Sequence, residues 1–357
     1  MSAANRKEQR GWYIYDWANS GFATTTIALF LGPYLTVLAK AAADADGHVH
    51  PFGIPVDARS YWSYLVSLSV ILQVAVLPVV GALADYGRRK KQYLAITAYI
   101  GAAAGAAMYF LDGDHYLLGG ALFVIGNVMF GASIVVYNSF LPEIAAPEER
   151  DAVSARGWGI GYLGGGLLLA LNLVLYLNAA KLGISEGMAV RISLCSAGIW
   201  WAVFTIPPLL ALQNRGQAHS LQAMSAISAS FRQLGGTISH IRRYPQTLLF
   251  LAAFLLYNDA IQAVLAMASQ FGNDELKVPV SQLTLMMLMV QFVAFAGAMF
   301  FNWLSSKLGT RLAIAGGLMA WIAVLLYIYA SVQTTVDRKS TRLNSSHTDI
   351  SRMPSSA

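Results

Sequence analysis

The sequence predicts an all-helical bundle that crosses a membrane many times. Three observations carry that prediction: the composition, the length of the apolar runs and the placement of the cations. Of the 357 residues, 56% are hydrophobic and only 12% are charged, whereas a soluble protein has about 25% charged residues. Mean hydropathy is +0.52. A helix needs roughly 20 apolar residues to cross a hydrocarbon core of about 30 Å. Nine such runs are present, at 13–39, 61–84, 92–111, 117–140, 157–179, 190–212, 246–268, 281–303 and 312–333. They are too long, and too little alternating, to be barrel strands of about 10 residues.

The net charge of +6 does not indicate nucleic-acid binding, because the cations are spread among short connecting loops rather than gathered on one face. Their distribution reports orientation instead. The N-terminal arm and every second loop after it hold Arg6, Lys7, Arg10, Arg88, Arg89, Lys90, Lys91, Arg150, Arg156, Arg215, Arg232, Arg242, Arg243, Lys307 and Arg311, fifteen in all. The alternate loops hold five, Lys40, Arg59, Lys181, Arg191 and Lys277. The positive-inside rule therefore places the N-terminus in the cytoplasm, with a bacterial inner membrane as the expected location. The first run is too long for a signal-peptide core and lacks a cleavage site, so it reads as a retained helix. The one cysteine, Cys195, allows no internal disulfide and reads as inert packing.

Two loops are long. Between the first two runs, residues 40–60 contain Asp44, Asp46, His48 and His50. A His-x-His pair can ligate a metal, but no third ligand is fixed nearby, and the glycines and prolines around it read as a mobile external loop. No metal is assigned. After the sixth run, Leu221, Met224, Ile227, Phe231, Leu234, Ile238 and Ile241 recur every three or four residues, which predicts an amphipathic surface helix. The sequence then divides into a six-helix repeat at 1–212, a linker at 213–245 and three further helices at 246–336. From residue 337 to 357 the composition turns abruptly to Ser and Arg without apolar period. That segment reads as a disordered tail foreign to the rest, so the second repeat is expected to be partial and the protein truncated at its C-terminus.

Between the second and third runs stands GALADYGRRKK, residues 81–91. Gly81 allows close helix approach, Gly87 a tight turn, and Asp85 a pairing with Arg88 or a helix end. With Arg89, this cluster resembles the signature loop of the major facilitator superfamily, where such a loop latches one conformation. A weaker copy, FNWLSSKLGTR, lies at 301–311, with Lys307 where the acid would be. Gly87 and Gly309 stand 222 residues apart, which fits parallel six-helix repeats. Three further stretches, YDWANSGFATT at 15–25, LPEIAAPEERDAVSARGWGIGYLGGG at 141–166 and FLLYNDAIQAV at 254–264, are similar to the Unknown Major Facilitator family, which includes autophagy-related vacuolar amino-acid effluxers. The resemblance implies a secondary transporter of a small solute working by alternating access in the lipid bilayer, with amino acids or related metabolites as a lead. The alternative is a truncated membrane protein or scaffold that does not transport.

Two matches to enzyme motifs are dismissed. Gly159, Gly161 and Gly164 satisfy G-x-G-x-x-G without a preceding strand, so close helix packing is the better reading. Gly183, Ser185 and Gly187 satisfy G-x-S-x-G in a loop without a hydrolase sheet. No P-loop, H-E-x-x-H or Cys-x-x-Cys is present, and neither enzymatic activity nor a bound cofactor is expected.

An ionisable group within a span is costly unless it meets a partner or a cavity. The resemblance implies that the first and seventh runs line a central cavity. Asp16, Asn19, Asn258, Asp259 and Gln262 are then its candidates, joined by Tyr137 and Asn138 from the fourth run. A buried carboxylate there could carry a proton and couple transport to an ion gradient. Asp259 is the first candidate for that role, the alternative being an acid paired with another helix for folding. For Asp16 the alternative is a helix N-cap or an interfacial acid near Arg10. Asn127, Asn172 and Gln291 read as interhelical hydrogen bonds.

Overall fold

The computed structural model describes residues 3–86, 89–215, 245–309, 311–327 and 330. Eight of its helices are long and apolar enough to cross a membrane, and the ninth expected run is represented by the shorter helix Arg311–Tyr327. The linker helix expected after residue 213 and the tail from 337 lie almost wholly outside the described residues.

The first span is composite. Helix α1 (Ala3–Phe22) passes into a π-helical segment (Ala23–Phe30) and then α2 (Leu31–Ala42). Then follow α3 (Tyr61–Tyr86), α4 (Lys90–Ala107), α5 (Tyr116–Asn138), the short α6 (Leu141–Ile144), α7 (Arg150–Leu177), α8 (Glu186–Ala211), α9 (Pro245–Asp274) and α10 (Val280–Leu308). Short connections make successive spans antiparallel, so the bundle has a proximal end, carrying the N-terminus, and a distal end. Helix α1 packs between α7 and α8, α8 packs on α4, α4 on α5 and α5 on α3. A second unit begins at Phe300. In it Gly309 turns the backbone with φ +84°, a conformation that glycine adopts without strain. Gly317 there lies against the Phe301 ring.

The amides do what lone amides do in membranes. The Asn127 amide donates to Ser69 Oγ at 2.8 Å, and the Asn127 backbone carbonyl accepts from Gln73 Nε2. Asn172 ties α7 to the first span through Thr25 and to α8 through Ser196. Gln291 departs from this expectation in part, because its side-chain oxygen is buried without a partner.

Several expectations are corrected. The first helix starts ten residues earlier than its apolar run, because Glu8 and Gln9 are buried and bonded: Gln9 donates to the Ile144 carbonyl and Glu8 pairs with Arg215. Gly81 is not a close-approach site, since a Cβ there would meet Val135 at an ordinary 3.5 Å. The loop at 40–60 carries local order that its sequence did not disclose. His48–Val49 and Val56–Asp57 form a two-stranded ladder, and Asp44 accepts from His50 Nε2 at 2.7 Å and from the His48 backbone at 2.8 Å. Those bonds hold the Asp44 carboxyl below its ordinary range. Among the described residues no group of three ligating side chains is placed to hold a metal.

Candidate functional site

Helix α7 carries glycines on two faces, and this is what brings α1 so close. At Gly157, Gly161, Gly164 and Gly165 a Cβ would collide with Trp12, Ser20, Trp17 and Thr24 of the first span. At Gly159 and Gly166 it would meet Met299 and Gln291 of α10 instead. The glycine pattern at 159, 161 and 164 is therefore helix packing in two directions. The Gly-x-Ser-x-Gly match has an equally plain cause: Ser185 is the N-cap of α8 and accepts from the Met188 backbone at 3.1 Å.

The close approach creates a polar cluster in the proximal half of the bundle. Trp12 lies over Tyr137 of α5, ring centroids 4.2 Å apart and nearly parallel, and its Nε1 donates to the Tyr137 carbonyl at 3.0 Å. Tyr15 lies 5.2 Å from the same ring. Asp16 sits against this aromatic floor at 6% exposure. A Cβ on Gly157 would stand 3.1 Å from its Oδ2, and one on Gly161 3.3 Å from its carbonyl oxygen. Among the described residues Asp16 Oδ2, the hydroxyls of Tyr15 and Tyr137, and Asn19 Nδ2 are buried without a well-formed hydrogen bond, although the Tyr137 hydroxyl faces the Asp16 carboxyl and the Tyr15 hydroxyl faces Ser133 and Trp201. None of the ion pairs of the described residues includes Asp16.

Such a cluster is chemically unsatisfied. A carboxylate oxygen in an apolar interior costs several kcal/mol unless a cation or proton meets it. Orphaned buried donors likewise call for water or a ligand. Both features fall on one turn of α1, so the arrangement suits a group that brings a positive charge to Asp16 and acceptors to Asn19 and the phenols.

Of the residues singled out in the sequence, Asp16, Asn19 and Tyr137 come together. Asp16 is not an N-cap, because it lies deep within α1. Asn138 is exposed at the end of α5, and Asn258 and Gln262 are exposed on α9. The Asp259 side chain lies outside the described residues, as do Gly87, Arg88 and the Asp85 side chain of the signature loop. Arg89 immediately precedes α4 and is exposed. The loop's next cation is engaged: Lys90 pairs with Glu143 and donates to the Ser139 carbonyl at 3.1 Å.

Sequence reasoning missed Trp12, Tyr15 and Gly157. A signal existed, since Gly157, Gly161 and Gly165 recur every four residues, the spacing of a close helix contact. Gly157→Ala is expected to destabilise by about 1–3 kcal/mol through overpacking, because the buried Trp12 ring is held by its bond to Tyr137 and has no room to move. Gly81→Ala should be near neutral. Thermal unfolding of the two variants in detergent checks the contrast.

A profile of the family described as vacuole effluxer Atg22 like matches residues 4–338. The chain belongs to that family. This Atg22-like protein is 26% identical to the uncharacterized MFS-type transporter YxiO of Bacillus subtilis, over 93% of this chain and 75% of that one. It is 27% identical to autophagy-related protein 22 of Pyricularia oryzae, over 86% of this chain and 58% of that one. It thus spans little more than half the length of the fungal relative. Its fold is the major facilitator fold. The xylose transporter XylE of E. coli, in a partially occluded inward open conformation, superposes with a TM-score of 0.57 at 13% identity, over 86% of this chain and 72% of that one.

Proposed function

We propose that this Atg22-like protein is a secondary transporter that moves a small solute across a membrane by alternating access, with Asp16 at the heart of its binding and coupling site. The observation that carries this reading is the buried Asp16 carboxyl, faced by the Tyr137 phenol but by no cation among the described residues, on a helix of a major facilitator bundle. A membrane protein retains such a group where a mobile cationic group or proton visits it. The family relationship supports a transporter, and amino acids or related metabolites are the first solutes to test. The coupling proton is the positive charge that suits Asp16, and an amino acid's carboxylate suits the amide of Asn19 and the phenols. The cation bias supports a plasma-membrane protein with its proximal end in the cytoplasm. The proposed energy source is a proton or ion gradient, with the buried Asp16 as the carboxyl that would couple to it. Asp259 on α9 is the second carboxyl that could serve the coupling.

The test is flux. Purified protein in proteoliposomes is loaded on one side with a radiolabelled amino-acid mixture, under an imposed proton gradient. Saturable, gradient-dependent movement is expected. Movement no faster than in protein-free vesicles, with each class of solute tried, returns the protein to the scaffold reading.

A further inference from the structure

The distal ends of the first span and α9 are joined by a set of polar contacts that the family relationship does not specify. Helix α9 meets the π segment and α2, and it does so through its last turns. Met267 lies 3.5 Å from Ser63 Oγ of α3. Ser269 Oγ donates to the Leu29 carbonyl at 2.7 Å. Gln270 Nε2 donates both to Thr36 Oγ1 at 3.2 Å and to the Arg59 carbonyl at 2.9 Å. Asp274, at the end of α9, pairs with Lys40 at 2.7 Å. Ser269, Gln270 and Thr36 are all buried. At the opposite end of the same helix Leu249, Phe250, Leu255 and Leu256 are exposed.

The Ser269 contact is the informative one, because of what stands four residues beyond Leu29. An α-helix would satisfy the Leu29 carbonyl with the N–H of residue 33, and residue 33 is Pro33, which has none. The first span is already irregular there. The Leu31 N–H reaches back five residues to the Thr26 carbonyl, the spacing of a π-helix, a rare form that concentrates at functional sites. Ser269 therefore fills a vacancy that the first span's own sequence creates. Its hydroxyl binds the carbonyl at the C-terminal edge of the π segment, so a displacement of α9 leaves a bare carbonyl in an apolar interior unless the segment changes its own hydrogen bonding. Gln270 is matched in the same manner. The Thr36 hydroxyl donates to the Gly32 carbonyl and so has a lone pair free to accept from Gln270, whose second N–H goes to Arg59.

We infer that Ser269, Gln270 and Asp274 form the clamp of the distal gate, closing on Leu29, Thr36, Arg59 and Lys40, and that the π segment is the joint at which the first span gives way when the gate opens. This inference rests on the reading of the protein as an alternating-access transporter. It assigns to that cycle the residues that hold one side shut. The clamp is almost wholly uncharged where it is buried, with its only ion pair at the solvent edge, so its release does not strand a charge in the membrane.

The test measures opening without a solute. In a Cys195→Ser background, Met267→Cys is the single thiol, and its labelling by a water-soluble maleimide in reconstituted protein reports the open fraction. A paired Ser63→Cys and Met267→Cys protein should form a disulfide, which fixes the closed distance. Ser269→Ala and Gln270→Ala should each speed labelling of Met267→Cys about fivefold, the population shift expected from one buried hydrogen bond. Pro33→Ala supplies the missing N–H, so in that background Ser269→Ala should have little further effect. General damage to folding would not be rescued in this way. Labelling that is unchanged by both clamp variants, or a Ser269→Ala effect as large in the Pro33→Ala background, overturns the inference. Because no solute is involved, a clamp that behaves as described beside a null flux assay rejects the transporter reading alone, and the reverse pair of results rejects the clamp alone.

Discussion

Glu143→Ala is expected to destabilise the proximal end of the bundle by about 3 kcal/mol, the low end of the cost of stranding one partner of a buried ion pair. The low end applies because the Glu143 side chain retains 22% exposure, while that of Lys90 keeps only 9%. Lys90 opens α4 and lies beneath the α5–α6 corner, with its ammonium over the Phe140 ring at 5.8 Å. Without Glu143 the ammonium keeps the Ser139 carbonyl and the ring, but no opposite charge. The Glu143 backbone carbonyl, which the substitution leaves in place, accepts from Arg215, and Arg215 itself pairs with the buried Glu8 at 2.8 Å. Asn214, beside it, accepts from the Lys91 N–H at the start of α4. The proximal ends of α1, α4 and α6 and the segment leaving α8 thus share one network. Replacing both partners, Lys90→Met with Glu143→Leu, should cost far less than Glu143→Ala alone, since two apolar groups strand nothing. Thermal unfolding in detergent of the single and double variants checks the ordering, and a double variant less stable than Glu143→Ala would contradict it.

The pair also marks the limit of what the sequence discloses. Lys90 stands in the signature loop and Glu143 in the LPEI stretch, and both stretches were legible as family marks. Their union across 53 residues was not, because nothing in either stretch names its partner. The Asp85 side chain and Arg88, the ionic feature read from the loop's sequence, lie outside the described residues; among those described, Lys90 is a cation seated on α5 and α6. The order of the spans and eight of the nine expected runs were legible because lipid demands long uninterrupted apolar runs. The rotation of each helix was not. Lipid is as apolar as a helix interface, so apolar residues surround the helix and mark no inner face. Tyr137 and Asn138 illustrate the point: neighbours in sequence lie about 100° apart on a helix, so Tyr137 meets Trp12 and Asp16 while Asn138 points away. The start of α1 escaped for the opposite reason, since Glu8 and Gln9 are polar and are buried only by tertiary bonds. The π segment carried one readable sign, Pro33 inside an apolar run, which breaks the ladder four residues upstream.

Asp16→Asn should have the largest functional effect of any conservative substitution in the protein. The amide keeps the size and hydrogen-bonding reach of the carboxyl but neither ionises nor exchanges a proton. Trp12, Tyr137 and Gly157 enclose the side chain so closely that the substitution should leave the packing nearly unchanged, and thermal stability should stay near wild type. A coupling site altered in this way still lets the bundle rock between its two states with solute bound, but it no longer ties that motion to the gradient. Loss of an interaction made only by the charged group commonly costs two to three orders of magnitude in rate. Tyr137→Phe, which removes the hydroxyl facing Asp16, belongs in the same series as a milder version.

The measurement that bears most directly on the central claim compares two modes of flux in proteoliposomes containing wild type or Asp16→Asn. In one, solute accumulates against its gradient under an imposed proton gradient. In the other, labelled solute exchanges with unlabelled solute across the membrane, with no gradient present. The account predicts that Asp16→Asn loses accumulation about a hundredfold and retains exchange. Accumulation by Asp16→Asn at the wild-type rate would contradict it and remove Asp16 from the transport cycle.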